Sequence, residues 1–265
     1  MANFLQPDRV YDVLGLTVKE YFITDHNVNK ISMPSKRTLP LIGVTCHNTS
    51  DINEARQTTD PEQYTRATIN GNMNTVRVHF YVDDDEAWQD LPLDWQSWHA
   101  GQAGRADRNG SAAGNAQTIS IECIMSGKGD EKDKRAEDNC AKLTAWLLVK
   151  HNMNTKLNLF THNYWCNLRN GKSGTIDQLN KWNDGYKNCP VYIRPHWDEF
   201  VAKVNKYMEQ LSSTKPTEQP KTDEKTIMYN IVVGVYGKKE NADAALKEVK
   251  KVYPGAFIKK TVKSS

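Results

Sequence analysis

The feature that most constrains the fold is the alternation of short apolar segments with segments of helical pattern. Four segments have the length and apolar content of strands: 39–49, 74–83, 118–125 and 157–161. Three others carry a helix-capping pattern or repeat apolar residues every three to four positions: 60–69, 131–150 and 196–211. Strands that alternate with covering helices predict an α/β domain.

Two of the predicted strands lead into histidines. His47 ends the apolar run 39–49, and His162 follows the run 157–161 directly. Strand ends emerge into the loops that usually carry chemistry. Cys189 offers a third soft donor. Two His and one Cys would leave a zinc ion one open coordination position, which is typical of catalytic rather than structural sites.

Five short motifs occur in one order along the chain. They are 47–49 (His-Asn-Thr), 97–101 (Ser-Trp-His-Ala-Gly), 119–122 (Ile-Ser-Ile-Glu), 161–165 (Thr-His-Asn-Tyr-Trp) and 187–190 (Lys-Asn-Cys-Pro). On these motifs the chain resembles the zinc N-acetylmuramoyl-L-alanine amidases of the type-2 amidase and peptidoglycan-recognition-protein superfamily, in particular phage endolysins. The resemblance spans about 39–211. It implies a central mixed β-sheet covered by helices, a Zn²⁺ cofactor and bacterial peptidoglycan as substrate.

The resemblance also implies a role for individual residues. It assigns the zinc to His47, His162 and Cys189, general acid and base work to Glu122, stabilisation of the oxyanion to Lys187, and substrate contacts to His79, Trp98 and His99. Glu122 is a candidate functional residue without the resemblance as well, because burying a carboxylate in an apolar strand costs free energy unless it is paired, metal-linked or protonated. For His79 and Trp98 the residues alone leave a structural role equally open.

The third ligand has a rival. In the family that the chain resembles, this ligand follows the second His closely, whereas here the segment 167–185 stands between them as an apparent insertion. Cys166 lies much nearer to His162 along the chain. The sequence therefore leaves Cys166 and Cys189 as alternative ligands.

A second, smaller unit is predicted at the carboxyl end. Segment 212–226 contains no apolar residue and is interpreted as a linker between a catalytic domain, 1–211, and a unit at 227–265. That unit has the pattern of a small βαβ unit and resembles half of a sporulation-related (SPOR) repeat, a family that binds peptidoglycan glycan. Because units below about 40 residues rarely fold alone without disulfides, metal or oligomerisation, we expect it to pair into a homodimer.

Charge and hydropathy disfavour a nucleic-acid-binding protein and a membrane-spanning protein. The unit 227–265 has eight Lys against three acidic residues, which suits an anionic polymer, but it shows no nucleic-acid-binding signature. No apolar run approaches the ~20 residues of a membrane helix, so no transmembrane segment is expected. The first residues lack a secretory signal pattern. We therefore expect synthesis in the host cytoplasm without a signal peptide, and action on the cell wall after release.

The residues and the resemblance together predict hydrolysis of the amide between N-acetylmuramic acid and the L-alanine of the stem peptide by a zinc-activated water. One alternative is a protein of the same fold that binds peptidoglycan without cutting it. Another is a Cys-His peptidase of the wall, with Cys166 or Cys46 as nucleophile.

Overall fold

The structure is a computed structural model that describes residues 5–49, 60–101, 111–182 and 187–213, together with positions 243, 246 and 247. The chain divides into two compact units, Met1–Lys215 and Pro216–Ser265. All strands and helices given below lie in the first unit. The predicted linker and the predicted βαβ unit fall almost wholly outside the described residues. Within the described part, no helix has the length and apolar character that crossing a membrane requires.

A mixed sheet forms the centre of the first unit. Its strands are β1 Arg9–Val13, β2 Leu16–Glu20, β3 Gly43–Thr49, β4 Phe80–Val82, β5 Glu86–Gln89, β6 Thr118–Ile124 and β7 Leu159–Thr161. Their spatial order is β1-β2-β5-β4-β6-β3-β7. Pairing is antiparallel between β1 and β2 and between β4 and β5, and parallel at the other four contacts. The predicted α/β fold with a central mixed sheet is confirmed.

Helices lie on both sides of this sheet. They are α1 Pro61–Ile69, α2 Ser111–Gln117, α3 Glu131–Lys150, α4 Thr155–Asn158, α5 His162–Arg169, α6 Ile176–Lys181 and α7 Trp197–Ser213. A short 3-10 turn, Arg194–His196, leads into α7. The predicted N-cap of α1 is confirmed, since the side chain of Asp60 accepts a hydrogen bond from the backbone N–H of Glu62.

The main core lies between one face of the sheet and the helices α3 and α7. Leu143 and Leu147 of α3 and Phe200 and Val204 of α7 are fully buried there, as their spacing predicts. Burying a side chain of this size stabilises the fold by about 1.5–3 kcal/mol. Cys46, Cys123 and Cys140 are free cysteines buried in the same core.

The predicted strand 74–83 is shorter than expected, and its polar face is not open to a cleft. Only Phe80–Val82 pairs as a strand, while Arg77 and His79 are buried at 2% and 0% exposure. The Arg77 guanidinium donates to the backbone carbonyls of residues 32, 74 and 76. Because backbone oxygens satisfy its donors, this cation is tolerated in the interior.

Candidate active site

The register of three parallel strands brings the candidate residues together. β3 lies between β6 and β7, and His47 of β3 is paired with Glu122 of β6. Cys46 is paired with Thr161, the last residue of β7, so the chain leaves β7 through His162 beside His47. The centroids of the two imidazole rings are 4.8 Å apart. Both histidines therefore sit at the carboxyl ends of neighbouring strands.

Cys189 completes a compact cluster of three donors. One ligand atom from each of His47, His162 and Cys189 lies within 4.8 Å of the other two, and all three side chains are buried. The Cys189 Sγ lies 3.6 Å from the His47 Nδ1. The backbone N–H of Asn163 donates to the Cys189 carbonyl at 2.9 Å, which ties this loop to the start of α5. Cys166 is buried in α5 outside this cluster, so the geometry supports Cys189 over its rival.

Hydrogen bonds determine which nitrogen each imidazole offers. The Nε2 of His99 lies 3.0 Å from the Gly114 carbonyl, so it carries the proton and leaves the His99 Nδ1 as an acceptor. That Nδ1 lies 2.7 Å from the His47 Nε2, which must then donate. The His162 Nε2 donates to the Gly101 carbonyl at 2.8 Å. Each ligand histidine is thus left with an unprotonated Nδ1, the form that binds a metal.

Burial sets the charge of these groups in the absence of an ion. It lowers the pKa of His47 well below its ordinary value, and with the nearby Lys187 it lowers that of His162 to about 3. Burial and the Glu122 carboxylate raise the pKa of the Cys189 thiol to about 12. The imidazoles are therefore neutral, and the thiol requires a bound cation before it becomes a thiolate.

Glu122 and Lys187 border the donor cluster. The Glu122 Oε1 lies 3.6 Å from the His47 Nδ1, and 16% of the Glu122 side chain is exposed. Its Oε2 is buried without a hydrogen-bond partner among the described residues. Burial raises the pKa of Glu122 to about 8, and the ammonium of Lys187 acts in the opposite direction. A carboxyl that exchanges its proton near neutrality suits a general acid and base.

The donor set fits a divalent ion of zinc type. Two neutral imidazoles and one thiol converge on one point, and soft nitrogen and sulfur donors are the usual ligands of zinc. Three protein ligands with a carboxylate beside them leave one position for water or substrate.

The structure gives the three predicted substrate contacts different positions. His79 is fully buried: its Nδ1 lies 3.1 Å from the Ser120 Oγ and its Nε2 lies 3.1 Å from the Trp95 carbonyl. A substrate contact by His79 is therefore not supported, because both ring nitrogens are used inside the fold. His99 is 6% exposed, and its Nδ1 accepts the hydrogen bond from the His47 Nε2, so its ring lies inside the fold beside His47. Trp98 is half-buried and keeps part of its surface open.

Asn48 is a site residue that the sequence analysis missed. Its Oδ1 accepts hydrogen bonds from the backbone N–H groups of Tyr192 and Ile193, at 3.0 and 3.2 Å. Its Nδ2 donates to the Cys123 carbonyl at 3.2 Å. Asn48 thus connects the end of β3 to the loop after Cys189. The sequence does contain an indication of this role, because Asn48 is a polar residue inside a predicted buried strand and directly follows His47.

Comparison with known proteins gives a consistent result. A family model described as N-acetylmuramoyl-L-alanine amidase matches residues 37–190, a range that includes all three donors, and a SPOR domain model matches residues 201–260. The chain is 31% identical over 161 residues to the N-acetylmuramoyl-L-alanine amidase XlyA of Bacillus subtilis (strain 168), covering 61% of this chain and 43% of XlyA. It is 28% identical over 204 residues to CwlH, an N-acetylmuramoyl-L-alanine amidase of the same strain, covering 77% of this chain and 65% of CwlH.

The chain therefore spans less than two thirds of the length of these curated relatives. Among solved structures, that of PlyL superposes with a TM-score of 0.50 at 23% identity, covering 71% of this chain and 96% of PlyL. This likeness supports the fold.

We predict that Asn48→Ala loosens the loop that carries Cys189. The loss of its hydrogen bonds to Tyr192, Ile193 and Cys123 should lower the free energy of unfolding by about 1–3 kcal/mol, because the Ile193 N–H and the Cys123 carbonyl stay buried without this partner. Thiol labelling followed by mass spectrometry should show faster modification of Cys189 than in the parent protein.

Asn139→Ala provides the matched control. Asn139 lies in α3 and donates to the Asp83 carbonyl at 3.0 Å, so its loss should lower stability without changing the labelling of Cys189. Equal labelling rates in Asn48→Ala and the parent protein would contradict the role given to Asn48.

Proposed function

The chain belongs to the N-acetylmuramoyl-L-alanine amidase family, whose model matches more than half of its residues, and from this premise we propose that it is a peptidoglycan hydrolase. It cleaves the amide bond between the lactyl group of N-acetylmuramic acid and the L-alanine of the stem peptide. The observation that carries the proposal is the convergence of His47, His162 and Cys189 within 4.8 Å, next to Glu122.

Zinc is the proposed cofactor, and His47 Nδ1, His162 Nδ1 and Cys189 Sγ are its proposed ligands. When bound there, a zinc ion supplies a water of lowered pKa and polarisation of the amide carbonyl. The hydrogen bonds to His99 and to the Gly101 carbonyl hold the two imidazoles in the tautomer and orientation that this binding needs.

Glu122 handles the proton in this proposal. Its carboxylate accepts a proton from the attacking water and passes it to the nitrogen of the leaving alanine, so that the products are a lactyl carboxylate and a free amine. Lys187 donates from its ammonium to the oxyanion that forms on the former carbonyl oxygen.

Two alternatives are less well supported. A protein that only binds peptidoglycan would not need a complete set of ligands with a carboxylate beside it, and this chain has both. A Cys-His peptidase would need an accessible thiolate. Cys46 and Cys166 are both fully buried, and hydrogen bonding to Cys140 together with burial raises the pKa of Cys46 well above its ordinary value.

We further propose that the chain acts on the cell wall through two parts, a catalytic domain at 1–211 and a SPOR-like unit at 227–265 joined by the linker 212–226. The match of a SPOR model to residues 201–260 supports a glycan-binding role for the carboxyl-terminal part. Trp98 remains a proposed substrate contact.

We predict that the SPOR-like unit makes the protein a dimer, because the βαβ unit expected from the sequence would leave strand edges and one sheet face uncovered. Light scattering should give a dimer for the full chain and a monomer for a fragment that ends at Leu211. A monomeric full chain with a folded carboxyl-terminal unit would refute the pairing.

We predict that Cys189→Ser lowers both zinc content and thermal stability, because a bound metal stabilises the folded state that holds it. Cys166→Ser is the matched control, as it removes a buried thiol from α5 without removing a ligand. Elemental analysis and thermal melts of both variants check this. The opposite ranking of the two variants would identify Cys166 as the ligand.

We predict that the purified protein releases free amino-terminal alanine from bacterial walls. Glu122→Gln should lower this release by about 10²-fold or more with zinc still bound, since it removes the group that moves the proton. Mass spectrometry of the digests and elemental analysis of the variant provide the two readouts. New reducing sugar ends without free alanine would overturn the proposed function, and undiminished activity would leave Glu122 with a structural role only.

A further inference from the structure

Trp182 differs from the other tryptophans of the chain. All seven tryptophans lie within the described residues, and Trp182 is the one classed as exposed, with 44% of its surface open. It lies at the end of α6, in the segment between His162 and Cys189. An exposed indole offers a flat apolar face with a polar N–H edge, which makes Trp182 a candidate ligand contact.

The indole borders a shallow surface pocket that is largely open to solvent. This pocket has a volume of about 390 Å³ and is lined by Ser173, Asp177, Gln178, Lys181 and Trp182. The ammonium of Lys172 lies 5.0 Å from the centroid of the Trp182 ring. One aromatic ring surrounded by a hydroxyl, a carboxylate, an amide and an ammonium is a combination that suits a sugar, whose ring has apolar C–H faces and polar edges.

The charges of the pocket favour an uncharged ligand. The Lys181 ammonium lies 3.0 Å from an Asp177 carboxylate oxygen and 2.5 Å from one of Asp198. With the Lys172 ammonium, which also lies beside the ring, two cations and two carboxylates balance around the indole. A neutral N-acetylated sugar fits such a balanced surface without leaving a charge unpaired.

Hydrogen bonds connect the backbone of Trp182 to the chain segments that carry His162 and Cys189. The side-chain amide of Asn163 donates to the Trp182 carbonyl, and the side-chain amide of Asn167 donates to the same oxygen at 3.1 Å. Asn163 directly follows His162, and its backbone N–H donates to the Cys189 carbonyl. Asn163, the residue after His162, therefore binds the backbone of both Trp182 and Cys189.

We propose that this pocket is a subsite for a neighbouring sugar of the glycan strand, with an N-acetylated hexose stacked on Trp182 while the adjacent muramoyl amide lies at the donor cluster. The proposal rests on the proposed function, because it takes the glycan of the same substrate. The segment between His162 and Cys189 then extends the substrate site instead of being a passive insertion.

A titration followed by NMR tests the binding directly. Chitotetraose, an uncharged oligomer of N-acetylglucosamine, is added to the full chain while the indole N–H signals are recorded, with the Trp182 signal assigned from Trp182→Phe. We expect the Trp182 signal to shift to saturation. The unit 227–265 contains no Trp, so any glycan binding by that unit adds no indole signal of its own.

Trp146 is the matched control within the same spectrum. It is half-buried, packs against Tyr11 and has the Lys150 ammonium 5.0 Å from its ring, but it lies in α3, away from the donor cluster in the fold. Its signal should not move. A Trp182 signal that stays in place would overturn the subsite, and one that moves only with a stem tripeptide would overturn the assignment to sugar.

Kinetics provide a second, independent readout. Trp182→Ala should raise KM for intact walls by about three- to tenfold, the range expected from one aromatic contact, and leave kcat unchanged. Trp182→Phe should recover part of this loss, and Trp146→Phe should match the parent protein. On a muramoyl peptide without neighbouring sugars, Trp182→Ala and the parent should be equal.

The two proposals fail in distinguishable ways. If the parent protein releases alanine and Trp182→Ala has the parental KM on walls, the subsite is wrong and the proposed function stands. If the parent releases no alanine from any substrate, the proposed function is wrong, and the indole titration still decides whether the pocket binds sugar.

Discussion

The parallel pairing of β3 with β6 on one side and β7 on the other is the constraint on which the site depends. It places His47 opposite Glu122 and beside the point where His162 leaves β7. Alternate residues of a strand face opposite sides, so a slip of one position would turn His47 into the core that holds Cys46. A buried hydrogen bond from the Trp165 Nε1 to the Thr45 Oγ1 holds β3 to the start of α5.

Polar groups inside the fold are satisfied largely by backbone carbonyls, and these bonds shape the wall of the site. Arg37 donates to the carbonyls of Leu93, Trp95 and Ala116, and so fixes the loop that leads to Trp98 and His99. Since a hydrogen bond from a charged donor stabilises by about 1.5–3 kcal/mol, these bonds favour the observed conformation of the loop. His99 then has a defined place behind His47.

The long segment between the second and third donors does not prevent Cys189 from returning to the site. The entropy cost of closing a loop rises only slowly with its length, so side-chain contacts can offset the added residues. Asn163, Asn167 and Asn180 provide them: the first two bind the Trp182 carbonyl, and the Asn180 side chain accepts from the Thr161 N–H and donates to the Leu159 carbonyl. Helix α6 is thereby fixed beside β7.

Local patterns in the sequence were sufficient for α1 with its Asp60 cap and for α3 and α7. They were also sufficient for the strands that carry His47 and Glu122 and for the strand that ends before His162, because periodicity and capping act between near neighbours in the chain. They were not sufficient for β1 and β5, which are short and partly polar and form only because adjacent strands pair with them. The position of Cys189 beside His47 and His162, the burial of Arg77 and His79 and the hydrogen bond between His99 and His47 were decided by the tertiary structure. Each of these depends on which groups meet across the fold, and spacing along the chain does not encode those distances.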